Sequence, residues 1–207
     1  MKFKIKVCGM SQASNIANVA ELQPDYLGFI FYDKSPRAIS SVSAELIKYV
    51  PETIKTVGVF VNEDLELVID NVIKYKLKAV QLHGSEEPAY CEALKETGVE
   101  VIKALGIREG FEFNLLENYL KAVDYFLFDT QTEQHGGSGK QFDWSLLKNY
   151  RLDKPYFLSG GIGLEQIEQL NEIDDNRLFA IDVNSKFETE PGFKDINKLK
   201  QFFNGLQ

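Results

Sequence analysis

A (β/α)8 barrel of the α/β class, one domain over residues 1–207, is the fold this sequence predicts. Three observations carry that expectation. Eight short runs rich in β-branched and aromatic residues recur along the chain, with helical segments between them. The runs are nearly continuous in apolar residues rather than alternating, as in parallel strands buried on both faces under helices. No linker, charge block or low-complexity stretch breaks the series, and 207 residues hold ample core for one domain near the short end of this fold.

The elements follow in order. Residues 2–9, "KFKIKVCG", read as the first strand and 11–23, "SQASNIANVAELQ", as the first helix. "DYLGFIF" at 25–31 is the second strand and leads into the loop "YDKSPRAIS". "TVGVFV" at 56–61 precedes the clearest helix, where Leu65, Val68, Ile69, Val72 and Ile73 recur at helical spacing with charges opposite. Asn62 or Asp64 offers that helix an N-cap. "KAVQLHG" at 78–84 is followed by "EEPAYCEALKETG", a helix stopped by Gly98, with Cys91 packing beside Leu94. "VEVIKAL", "DYFLFDT", "PYFLSGG" and "LFAIDVNS" complete the eight. Eight units is the number that closes a barrel. An open doubly wound sheet fits less well, because no GxGxxG follows the first strand.

Charge and composition exclude several functions. A net charge of −8 argues against nucleic acid, whose partners display a basic face, but leaves room for a small anion held by backbone amides and an arginine. Cys8 and Cys91 are far apart, and His83 and His135 are the only histidines, so neither a disulfide framework nor a zinc set is expected. No stretch reads as a signal peptide or a membrane span, which points to a reducing cytoplasm and no membrane partner. Oligomeric state is not legible.

In a barrel of this kind the strand C-termini and the loops after them converge on one mouth. Those positions hold Cys8, Arg37, Asn62, Gln81, His83 and Asp129. They continue with the "SGG" of Ser159, Gly160 and Gly161, and with Asp182, Asn184 and Ser185 of "DVNS". Each has a plainer reading: Cys8 as a small apolar filler, Asp129 as a turn cap, Arg37 as a solvated surface arginine, His83 as a core imidazole. Position at the mouth favours chemistry for Cys8. An acid ending the apolar run "YFLF" is drawn toward burial, which suits a proton donor. "HGGSGKQ" fails as a Walker loop at Gln134 and Gln141 and reads instead as a flap over the mouth. Gly160 and Gly161 let a phosphate approach the backbone, so a phosphorylated small molecule is the expected ligand.

Taken in order, "KVCG", "SPR", "GVFVN", "VQLHG", "FLFDT", "GGSGKQFDW", "LSGG", "IDVNS" and "PGFKD" resemble phosphoribosylanthranilate isomerase of tryptophan biosynthesis, from first strand to last helix. The resemblance implies an Amadori rearrangement of N-(5-phosphoribosyl)anthranilate to 1-(2-carboxyphenylamino)-1-deoxyribulose 5-phosphate, without metal or organic cofactor. It implies Cys8 as general base, Asp129 as general acid and Arg37 as the ligand of the anthranilate carboxylate. Gln81, His83 and Asp182 would bind substrate, and Gly160, Gly161, Asn184 and Ser185 its phosphate. The chain departs from the family at Lys186, where glycine often follows the serine, and that lysine is expected to face solvent. Two other functions stay open: a Schiff-base enzyme using Lys103 of strand five, and a sugar-phosphate binder without catalysis.

Overall fold

The computed structural model describes residues 2–130 and 142–206. Eight parallel strands form a closed barrel in sequential order. They are β1 (Lys4–Val7), β2 (Tyr26–Ile30), β3 (Lys55–Phe60), β4 (Ala79–Leu82), β5 (Glu100–Ile107), β6 (Tyr125–Thr130), β7 (Tyr156–Leu158) and β8 (Leu178–Val183). Closure comes from β1 against β8, with Lys6 opposite Asp182 and Val7 opposite Val183. A two-stranded hairpin of β9 (Glu188–Glu190) and β10 (Phe193–Lys194) follows β8.

Helices α1 (Ala13–Ala20), α2 (Ser41–Ala44), α3 (Leu65–Tyr75) and α4 (Pro88–Lys95) follow β1 to β4. Among the described residues, the connections after β5 and β6 contain 3₁₀ turns, Phe113–Tyr119 and Trp144–Asn149, rather than α-helices. The short α5 (Ile167–Asn171) follows β7, and α6 (Ile196–Gly205) closes the described chain. Asp64, not Asn62, caps α3 by accepting from Glu66 N–H. Asn62 instead takes a left-handed conformation and accepts from Ser85 N–H at 2.7 Å. Ile73 departs from the expected stripe and is 72% exposed. At ~100° per residue it lies about 140° around the helix from buried Val68, whereas Val72 and Tyr75 stay within about 40°. Cys91 is fully buried in the core, as expected of a packing residue.

Strand alternation divides the buried side chains into two sets. The larger lies between sheet and helices and includes Ile5, Leu27, Leu82, Phe128 and Leu158. The smaller fills the floor of the barrel with Tyr26, Val57, Ala79, Ile102, Leu127, Phe157 and Ala180. Above that apolar floor five strands, β1, β4, β6, β7 and β8, place polar groups inward: Lys6, Gln81, Asp129, Ser159 and Asp182, all buried. The floor excludes water from below, so the chemistry faces one opening.

Candidate active site

Cys8 ends β1 on the same face as Lys6, two residues earlier, and both point inward. Its backbone N–H donates to Val183 at 2.9 Å, extending the ladder to β8 by one residue. The thiol sits against Gly28 of β2, where an added Cβ would lie only 2.7 Å from Sγ. Cys8 is 4% exposed, and burial pushes its thiol pKa above the ordinary value. Lys6 and Lys194 oppose that push, while Asp182 adds to it.

Asp129 ends the apolar run of β6 and is 7% exposed. Its carboxyl is pushed up to about 6, chiefly by burial; the adjacent Thr130 N–H, at 2.7 Å, works against this, Asp182 adds to it and Lys6 subtracts. His83 reaches toward it, Nε2 lying 3.6 Å from Oδ2, and Gln81 Nε2 lies 3.0 Å from His83 Nδ1. With the Gln81 amide donating to Nδ1, a neutral ring carries its proton on Nε2, facing Asp129. Gln81 Oε1 is buried and has no hydrogen-bond partner among the described residues.

Arg37 is not the solvated surface residue its loop alone suggests. Its side chain is 11% exposed, with Nε 2.9 Å from both oxygens of Glu188 and Nη2 2.8 Å from Oε2. Lys194, fully buried, reaches the same carboxylate at 2.6 Å and Asn184 Oδ1 at 2.7 Å. Two cations against one anion leave this cluster with one positive charge beside the mouth. Gly160, after β7, has φ +93°, and a Cβ there would meet Thr130 and come within 3.0 Å of Asp129 Oδ1. Ser185 and Lys186 form a 3₁₀ turn after β8, and Lys186 is exposed, 3.5 Å from Glu165.

Lys103 is a different matter. It lies between inward Ile102 and Ala104, so it points out of the barrel, where its ammonium meets Glu86 at 3.0 Å and the Gly84 carbonyl at 2.7 Å. That knot ties together the loops after β3 and β4, since Glu86 also accepts from the N–H groups of Asn62 and Gly84. The Schiff-base reading therefore loses its lysine. The flap expected at 131–141 lies outside the described residues.

Lys6, Gly28, Glu188 and Lys194 were missed in the sequence. Lys6 was findable, because residues two apart on a strand share a face and Cys8 is expected at the mouth. The other three act through contacts between distant segments, which spacing does not encode.

Known proteins resemble this chain over nearly its whole length. A sequence profile of N-(5'phosphoribosyl)anthranilate (PRA) isomerase matches residues 5–205. The N-(5'-phosphoribosyl)anthranilate isomerase of Parabacteroides distasonis is 46% identical over 200 residues, covering 96% of this chain and 90% of that one. The crystal structure of phosphoribosyl anthranilate isomerase from Thermotoga maritima aligns with a TM-score of 0.85 at 36% identity, covering 98% of both chains. Another, solved in complex with reduced 1-(o-carboxyphenylamino)-1-deoxyribulose 5-phosphate, aligns at 34% identity with a TM-score of 0.82, covering 98% of this chain and 97% of that one. The chain belongs to the N-(5'-phosphoribosyl)anthranilate isomerase family.

Proposed function

We propose that Cys8 and Asp129 are the base and the acid of a phosphoribosylanthranilate isomerase of tryptophan biosynthesis, the activity of the family to which the chain belongs. The observation that carries the roles is their pairing across one mouth: a thiol ending β1 and a carboxyl ending β6 whose pKa burial lifts to about 6.

The reaction needs one proton delivered and one removed. Asp129 donates to the ribose ring oxygen as the C1–O bond breaks, and the electron pair on the aniline nitrogen forms the iminium. The iminium acidifies the proton on C2, which the Cys8 thiolate takes; the C2–H pair becomes the enamine double bond. Proton transfer from the C2 hydroxyl to C1 then gives the ketone. The scheme uses no metal or organic cofactor.

Arg37 would bind the anthranilate carboxylate, its guanidinium aimed by Glu188 within a cluster of net positive charge. Gln81 Oε1, a buried acceptor awaiting a donor, suits a substrate hydroxyl, with His83 and Asp182 beside the ribose. Gly160, Gly161, Asn184 and Ser185 would surround the phosphate at the ends of β7 and β8. Two free, buried cysteines suit a reducing cytoplasm.

The test is turnover of N-(5-phosphoribosyl)anthranilate by the purified chain and its variants. Cys8→Ala and Asp129→Asn are each expected to lose about 10²–10⁴ in kcat while still binding a reduced product analogue. Near-normal kcat in either would remove that residue from its role. Arg37→Ala is expected to raise KM more than it lowers kcat, and a substrate analogue without the ring carboxylate should not feel the change.

A further inference from the structure

Lys6 has no part in the scheme above, yet it occupies the centre of the site. It is fully buried, inward-facing, and its ammonium lies 2.9 Å from Asp182 Oδ1 in the neighbouring strand. A lysine placed in a closed interior needs a reason, because desolvating the ammonium costs several kcal/mol. Asp182 alone is a partial one, since two well-packed apolar residues would serve a barrel floor as well. The second neighbour supplies the rest: Cys8 stands directly above Lys6 on the same strand face, its Sγ confined by Gly28.

We propose that Lys6 is a positioning residue acting through Cys8: its ammonium is the counter-ion that lets the buried thiol ionise, and Asp182 holds that ammonium in place. The inference rests on Cys8 being the base. Ionisation leaves the electron pair on sulfur and releases the thiol proton to solvent; Lys6 keeps its own. Burial alone would lower the pKa of Lys6, but Asp182 and Cys8 more than offset it, so the lysine stays charged.

Among the described residues, the charged groups that act on the sulfur enter this balance together. Lys6 lies on its own strand, Asp182 on β8 and Lys194 on β10. Lys194 also favours the thiolate, but less than Lys6 does, and it shares Glu188 with Arg37; from β2, Gly28 faces the sulfur. Asp129, across the barrel, feels the same Lys6 and Asp182. Lys6 is therefore the cation whose removal changes the field at sulfur most.

The experiment is an ultraviolet titration of the thiolate, each protein read against the same protein carrying Cys8→Ser, so that Cys91 and the tyrosines cancel. Lys6→Met is expected to raise the midpoint by about one pH unit or more. Asp182→Asn, nearly isosteric, is expected to lower it, because it removes an anion and leaves the ammonium unopposed. Lys6→Arg should stay close to the parent. An unmoved midpoint in Lys6→Met, or shifts of the same sign in Lys6→Met and Asp182→Asn, overturns the proposal. Should Lys6→Met not fold, Asp182→Asn decides by sign: no downward shift, no counter-ion. Turnover by Cys8→Ala tests the base separately, so a failed base assignment and a failed counter-ion give different results.

Discussion

Asp129 shows how much a single buried carboxyl costs the fold. Its carboxyl is raised to about 6 in the folded chain, against an ordinary value near 4. Below about pH 4 both folded and unfolded chains hold the proton, and the group contributes nothing. As pH rises from about 4 to 6 the unfolded carboxyl ionises first, so stability is lost, by about 2–3 kcal/mol once pH exceeds 6. Asp129→Asn is therefore expected to raise the urea midpoint at pH 7.5 and leave it unchanged at pH 4. The same value shapes turnover. In the proposed scheme Asp129 holds its proton while Cys8 has lost its own, and with the thiol raised above the carboxyl that combination is a minor state. Its fraction is constant between the two pKa values and falls outside them. The profile of kcat/KM should thus have an acid limb near pH 6, set by Asp129 although its proposed role is that of proton donor. An acid limb near 4 would return Asp129 to an ordinary carboxyl and remove the case for it as the acid.

At the scale of elements, the strands do more than carry the reacting groups: each makes room for its neighbour's. Gly28 of β2 gives Cys8 the space its sulfur occupies, and any Cβ there would meet Sγ at 2.7 Å. Gly28→Ala is expected to fold, displace the thiol and reduce kcat strongly, while binding of a phosphorylated product analogue persists; an unchanged kcat would show that the sulfur has another workable position. The strands were legible in the sequence because parallel strands covered on both faces read as unbroken apolar runs. The connections were less so. Phe113–Tyr119 and Trp144–Asn149 fold as 3₁₀ turns, too short for a helical period to distinguish them from irregular chain. Arg37 shows the limit most clearly: alone it reads as a surface arginine, and its burial depends on Glu188, 151 residues later. A hairpin after the last strand supplies that partner, and no local pattern joins the two.

Across the whole molecule, net charge and ligand charge have the same sign, and the fold reconciles them by local geometry. A chain of net charge −8 is expected to hold a phosphate at the ends of β7 and β8, where the sequence offers glycines rather than a basic cluster. The lysine present there, Lys186, is exposed and leans toward Glu165 at 3.5 Å, so its charge is partly spent. Backbone N–H groups must then carry the anion, and they do so only if the chain can approach it closely. Gly161 adopts φ +66°, a conformation that β-branched residues avoid. Inorganic phosphate should accordingly inhibit competitively in the millimolar range, Gly161→Val should abolish that inhibition, and Lys186→Ala should change it only slightly. Both variants need their folding checked by circular dichroism, since strain at residue 161 adds to the loss of contact. A strong effect of Lys186→Ala alone would transfer the anion site from backbone to side chain, and the departure from the family at that position would then be a change of mechanism for holding phosphate.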